Sequence, residues 1–194
     1  MFRSRRSPFC EIRKALNLDE DALIYVELQL STSEFDVAES DPVNFVLTVK
    51  TTNEEDGLQP VARVVGTIYG TYGKKDDLST IAWIMDDNSA DEGVAGSLAL
   101  HYSETVKGIC ADKFFPNAVL YVRSVRLMQE GAQPCARGIL LQHVGKLYAQ
   151  CTGTKHFVVT MIFAKDEQDI LSSVPDEFVV HGSECSGYIK LVER

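Results

Sequence analysis

A single α/β domain built on a mixed sheet is the fold class that the 194-residue chain predicts, on three observations. Residues 118–164 change period twice: an apolar run of strand length, a turn, an apolar stripe at helical spacing, and a second apolar run. Strand-like segments flank that unit on both sides, with no internal repeat, low-complexity tract or linker. The composition is 45% hydrophobic and 24% charged, ordinary for a globular protein with enough apolar content for one core.

Residues 1–20 read as a basic tail with a short helix, and residues 21–194 as the domain. Arg3, Arg5 and Arg6 lie in a start that lacks the apolar core and cleavage pattern of a signal peptide, so a solvated tail is expected, with an organelle-targeting segment as the alternative. Residues 9–18 place Ile12, Ala15 and Leu16 at helical spacing. In residues 23–30, Ile24, Val26, Leu28 and Leu30 alternate with other side chains, the pattern of a strand with one covered face. Residues 31–42 are polar and acidic, too short for two ordinary helices. A second strand is expected at 43–51, a turn at 53–57, and a third strand at 61–72. Gly66 and Gly70 fall inside that third strand, where glycine permits a bulge or a close backbone approach. After a turn at 73–77, residues 78–85 (LSTIAWIM) are expected to form a fourth strand. A helix follows from about residue 91 to 106, capped by Ser89 or Asn88, with Asp91 and Glu92 at the positive end of its dipole.

In the unit at 118–164, Val119, Tyr121, Val125 and Leu127 mix with apolar residues of the other parity, which suits a strand covered on both faces. Gly131 and Pro134 interrupt regular structure. From Cys135 to Cys151, Leu140, Val144, Leu147 and Cys151 make one helical face, leaving Gln142, His143, Lys146 and Gln150 on the other. Residues 156–164 supply the second strand, and a crossover of this kind normally joins parallel strands. The first N–H groups of the helix lack internal partners and carry the positive dipole end. A phosphate beside Arg137 and Gly138 is one reading of that end, and plain packing of the glycine is the other. Residues 165–173 read as a short helix, and 177–181 with 187–192 as a closing hairpin pair.

The net charge of −9, from 28 acidic and 19 basic residues, weighs against a nucleic-acid partner, because phosphate neutralisation needs a basic surface. An acidic field suits cationic substrates instead. No stretch approaches a membrane span, so no membrane partner is expected. Cys10, Cys110, Cys135, Cys151 and Cys185 are odd in number and widely spaced, which fits a reducing cytoplasm rather than a disulfide framework or zinc site. No metal is expected: His101, His143, His156 and His181 show no i, i+4 pair, and a calcium-loop register from Asp86 puts Ala90 at a ligand position. Residues 182–187 are no nucleophile elbow, since no helix follows them. Tyr69, Tyr72, Trp83 and Phe163 are expected in the core or sheet, and Cys135 as an incidental thiol.

Taken together, the strand at 120–127, the run Cys135-Ala136-Arg137-Gly138-Ile139-Leu140, the helix to Cys151 and the strand at 157–164 resemble the GNAT superfamily of acyl-CoA-dependent N-acyltransferases. Upstream, VGTIYG at 65–70 and D-x-x-S at 86–89 resemble a subgroup of it, so the likeness runs loosely from residue 43 to 172. The resemblance implies an α+β fold: one GNAT-like domain, its mixed central sheet mostly antiparallel, with the parallel strand–helix–strand unit at 118–164. It implies acetyl-CoA as cofactor and a small-molecule or protein amine as acceptor, which the acidic balance would make cationic. The pantetheine arm would pair with the backbone of Val125, Arg126 and Leu127, and the pyrophosphate would sit on the amides of Arg137, Gly138, Ile139 and Leu140. Direct attack of the amine needs a base and oxyanion donors. Asp86, Asp87 and Glu130 are the candidate bases, and Tyr148 and Tyr188 the candidate acids.

The family motif is Gln/Arg-x-x-Gly-x-Gly/Ala. With Gly138 at its first small position, Cys135 stands where Gln or Arg is usual and Leu140 replaces the second small residue. The loop 128–134 is also longer than in compact members, and no helical pair separates the first two strands. These departures carry the alternative of a catalytically inactive GNAT-fold binding or regulatory protein; an unrelated α/β interaction protein is the third reading. Leu140 shares its stripe with Val144 and Leu147, so its side chain is expected to turn into the core.

Overall fold

The structure, a computed structural model, describes residues 7–32, 42–53, 57–70, 78–110, 118–154, 157–163, 167–181 and 186–192. Helix α1 (Pro8–Ala15) begins on a proline, whose missing N–H costs nothing at a first helical position, and buries Ile12 and Ala15. Strands β1 (Ile24–Ser31), β2 (Val43–Asn53) and β3 (Gly57–Tyr69) form an antiparallel meander. Helices α2 (Leu78–Asn88) and α3 (Ala90–Cys110) follow. Then come β4 (Val119–Leu127), α4 (Ala136–Thr152) and β5 (Phe157–Phe163), the unit the periodicity predicts. The chain closes through α5 (Gln168–Leu171), a 3-10 turn (Asp176–Phe178), β6 (Val179–His181) and β7 (Ser186–Val192).

The seven strands make one sheet in the order β1-β2-β3-β4-β5-β7-β6. Every neighbouring pair is antiparallel except β4 and β5, which are parallel. The fold is therefore mixed α/β with a mostly antiparallel sheet, as expected. Gly66 sits at the register shift between β3 and β4, where a Cβ would run into the Tyr121 carbonyl oxygen and the Phe45 ring. Both the bulge and the close approach expected of that glycine are present.

The expected fourth strand is a helix. Residues 78–85 form most of α2, which buries Ile81 and Met85, one turn apart, against the sheet. Their spacing of four fits a helix, while the run of apolar and β-branched types fits a strand. Packing decides: α3 presents Gly96, where a Cβ would stand 3.0 Å from the Ala82 Cα, so α2 can lie directly on it. Trp83 consequently points outward and is 69% exposed rather than in the core. Two assignments on α4 also change. His143 is buried, not on a wet face, because α1 covers it, and Cys151, at the end of the stripe, is exposed.

Helices α1 and α4 lie on one face of the sheet, over a core that includes Phe45, Leu47, Val125, Leu140, Val144 and Phe157. Helices α2 and α3 cover the other face over Tyr69, Val119, Tyr121, Val158 and Ile189. Among the described residues no helix is long and apolar enough to cross a membrane. Arg3, Arg5, Arg6, Tyr72, His156, Cys185, the acidic stretch beyond residue 32 and the turn at 73–77 lie outside the described residues.

Candidate functional site

Strands β4 and β5 are paired over only three positions, Val119–Tyr121 with Val158–Thr160. Beyond Tyr121, β4 keeps its partner β3 as far as Leu127, and beyond Thr160, β5 keeps β7 as far as Phe163. The two strands therefore part while each remains held on its far side. From Val122 onward, the β5-facing edge of β4 has no strand partner. Helix α4 starts beside this opening. Its N-cap Cys135 is in the αR region and makes no side-chain cap bond, while Ala136 N donates to Gln133 O at 2.9 Å.

Arg137, in the first turn of α4, reaches into the opening. Its Nε donates to the Val125 carbonyl at 3.0 Å. One terminal nitrogen donates to Asp169 Oδ1 and the other to Glu167 Oε1, each at 2.9 Å. A single guanidinium thus ties the free edge of β4 to the segment after β5, and its positive charge is matched by two carboxylates. Behind it, Gly138 has no room for a side chain: a Cβ there would lie 2.5 Å from Ser173 Cβ and 3.1 Å from Ile170 O. The packing reading of Gly138 is realised, against α5 and the residues that follow it. Leu140 is 1% exposed and belongs to the core, as its stripe predicts.

Of the residues expected to hold a cofactor, Val125, Arg137 and Gly138 come together at the opening, with Ile139 and Leu140 following on α4 and Arg126 exposed on β4. Leu127 is the last residue of β4. The expected catalytic set does not converge. Asp86 and Asp87 are exposed at the end of α2. Tyr148 is buried on the opposite face of the sheet, between the rings of Phe45 and Phe157 at 6.3 and 5.3 Å. Tyr148 also lies twelve residues up α4 from Ala136, about 18 Å along the axis. Glu130 is exposed in the loop before α4, and Tyr188 is wholly buried on β7.

A polar network missed in the sequence stands on the α3 face of the same opening. Glu92 is 3% exposed, so its carboxylate is buried rather than solvated at the helix end. It accepts from Tyr69 Oη at 2.6 Å, from Asn88 Nδ2, and from Arg123 through two nitrogens at 3.0 and 3.1 Å. Ser89 Oγ accepts from Glu92 N at 3.3 Å, the cap expected there. Burial, then the Glu92 carboxylate, pushes the Tyr69 phenol well above its usual range. Tyr121, the last paired residue of β4, is pushed up to about 12, first by burial and then by Asp91 and Glu92. The available signal was an arginine inside an apolar strand, since Arg123 on β4 brings a charge to the sheet that a carboxylate of the covering helix can meet. Among the described residues no group of three or more His, Cys, Asp or Glu side chains is arranged to hold a metal ion. No family model, curated protein or solved structure matches the chain.

Proposed function

We propose that the chain is a GNAT-like N-acyltransferase that takes acetyl-CoA at the β4/β5 opening and passes the acyl group to an amine. The observation that carries this reading is the seam, a parallel pair that holds for three positions and then parts beside the start of α4. A free strand edge offers N–H and C=O groups to an amide-bearing chain, and the Val125–Leu127 backbone is such an edge. A second support comes from moving the family motif two residues back from the register that begins at Cys135. Gln133, Ala136 and Gly138 fit Gln/Arg-x-x-Gly-x-Gly/Ala with alanine as the one replacement, and Leu140 then falls outside it. That register agrees with a helix beginning at Ala136 and with a buried Leu140.

Acetyl-CoA would supply an activated thioester carbonyl. The chain's part is to hold it, orient the amine and manage protons. Tyr121 is pushed up to about 12 and keeps its proton throughout the neutral range, so it is no candidate base, and the same rise weakens it as an acid toward a leaving thiolate. Holding the pantetheine arm along β4 requires Arg137 to release the Val125 carbonyl.

That same contact supports a second reading, a closed GNAT-like module without catalysis. Here Arg137 occupies the strand edge permanently, and Glu167 and Asp169 cancel the positive charge a diphosphate would need. Thermal melting of the wild type and of Arg137→Ala across an acetyl-CoA titration separates the two. The transferase reading expects a dose-dependent rise in the wild type, worth about 2.7 kcal/mol at 100 times Kd. A flat wild-type response up to millimolar acetyl-CoA, with a rise confined to Arg137→Ala, identifies the closed module. Flat responses from both proteins end both coenzyme readings.

A further inference from the structure

The two edges of the sheet are built differently. A sheet edge is kept from adding a further strand by shortness, by lysine or proline, by a bulge, or by uncompensated charge. The β6 edge has the first of these, being three residues long. The β1 edge runs for eight residues, Ile24–Ser31, and contains neither lysine nor proline. It pairs with β2 in one unbroken register, with no bulge to turn it away. Its one charged residue, Glu27, is matched within the chain by Lys50 and accepts from Gln29 Nε2 at 2.7 Å. Among the described residues no strand lies on the outer side of β1.

Paired residues of a sheet share a face, so Val26, Leu28 and Leu30 lie on the α4 side with their partners Val49, Leu47 and Phe45. Val26 and Leu28 pack against that core, whereas Leu30 is 45% exposed. Tyr25, Glu27, Gln29 and Ser31 take the other side. A second copy of β1 can add antiparallel about a two-fold axis normal to the sheet in only a few registers. With Glu27 on the axis, two carboxylates stand directly opposite each other, which is destabilising. Axes at Val26 or Gln29 leave more of each strand unpaired. With Leu28 on the axis, Leu28 meets Leu28, Val26 meets Leu30, Glu27 meets Gln29 and Tyr25 meets Ser31. Each apolar residue of the α4 side then faces an apolar one, Leu30 is covered, and each Glu27 faces an amide able to donate to it.

We propose that β1 is the interface of a symmetric homodimer, two copies pairing antiparallel with Leu28 on the axis so that the sheet continues from one copy into the other. The occupant is a second copy because β1 complements itself in polarity and in charge along its length. An isologous contact of this kind closes at two chains. Pairing along one edge covers less surface than a standard interface, so the dimer is a weak one that forms at micromolar concentration and above. The interface lies across β2 and β3 from the β4/β5 opening and stands whether or not the chain transfers acyl groups.

Sedimentation equilibrium of the full chain from micromolar to near-millimolar concentration tests it, with amide hydrogen exchange at both ends of that range. The expected result is a mass rising from that of one chain, 21.5 kDa, to twice that and no further, with β1 amides exchanging more slowly at high concentration and β6 amides unchanged. Gln29→Glu sets a carboxylate opposite Glu27 of the other copy on both sides of the axis and should weaken the dimer by about tenfold. Gln29→Lys sets an ammonium there and should hold or tighten it. Gln29 is exposed, so both variants should keep the wild-type melting temperature when measured below the dimerisation range; should either not fold, Leu30→Lys takes its place, with a weaker dimer expected. A single-chain mass at every concentration overturns the proposal and leaves β1 bare or to a strand of another protein. Growth beyond two copies, a dimer with concentration-independent exchange at β1, or equal dimer affinity in Gln29→Glu and Gln29→Lys would each overturn it as well.

Discussion

On the α4 face of the sheet, Leu140, Val144 and Leu147 interlock with Phe45, Val125 and Phe157, all nearly inaccessible to water. On the α3 face the helix brings Ala95 and Ala99 to the sheet and packs against α2 through Gly96, and a charged network closes the end where β4 leaves β5. On the first face α4 supplies large apolar side chains; on the second α3 supplies small ones and a buried carboxylate, and the bulk comes from Ile81 and Met85 of α2. Large side chains leave a periodic trace in a sequence. A buried carboxylate leaves almost none, because one glutamate at a helix start looks like any other.

The largest expected effect is on the first face. Leu140→Ala should cost about 2–5 kcal/mol, read from urea unfolding, through lost burial and a cavity. At about 2–4 °C per kcal/mol for a chain of this size, melting shifts accordingly. A loss under 1 kcal/mol would mean that the α4 face is as loosely specified as its opposite. Next comes Glu92→Ala, which strands the Tyr69 hydroxyl and Asn88 amide and should cost about 1.5–3 kcal/mol. Arg123→Ala should cost about 1 kcal/mol or less, since that side chain is half in water. Equal losses from the two would show that Arg123, not the buried hydroxyl bond, holds the network.

The faces should also fail at opposite ends of the pH scale. His143 is bonded to Glu11 at 2.8 Å, with Lys146 and Lys190 nearby, and burial holds its pKa below the usual 6.5. The folded state thus prefers the neutral ring, so its contribution is present above pH 6.5 and is lost as pH falls through the depressed value. Tyr121 is shifted the other way, from 10.0 up to about 12. Its contribution is present below pH 10 and is lost as pH rises through about 12, with Tyr69 acting in the same direction. Unfolding midpoints across both limits should show His143→Phe flattening only the acid decline and Tyr121→Phe only the alkaline one. Cross-over between the two would contradict the division. Last and smallest, Trp83→Ser on the outer side of α2 should change stability by no more than about 0.5 kcal/mol. A larger loss would place the indole in a contact that its 69% exposure does not show.

The same contrast explains what could be read in advance. The unit from β4 to β5 was legible because an apolar run of strand length gives way to a stripe at helical spacing and then to a second run, with Gly131 and Pro134 marking the first change. Residues 78–85 were not, since a short apolar run carries both periods and only the glycine of α3 selects the helix. His143 was set on a wet face because the helix that covers it, α1, is 132 residues distant from it at Glu11. At the opening, Arg137 and Gly138 stood out in the sequence as a helix start. Their partners did not: Glu167 and Asp169 lie 30 and 32 residues on, in a stretch that reads simply as a polar helix.

Three rungs between β4 and β5 also give the sheet a fold line. Pulled apart through β1 and β7, the sheet meets its fewest backbone ties at this one line, with β1 to β4 on one side and β5, β7 and β6 on the other. Helices α3 and α4 cross the line on opposite faces, each packing on both β4 and β5, and act as splints. Arg137 adds a strap across the gap itself. Mechanically the protein is a hinged pair of plates, and the first rupture under load should leave each plate whole.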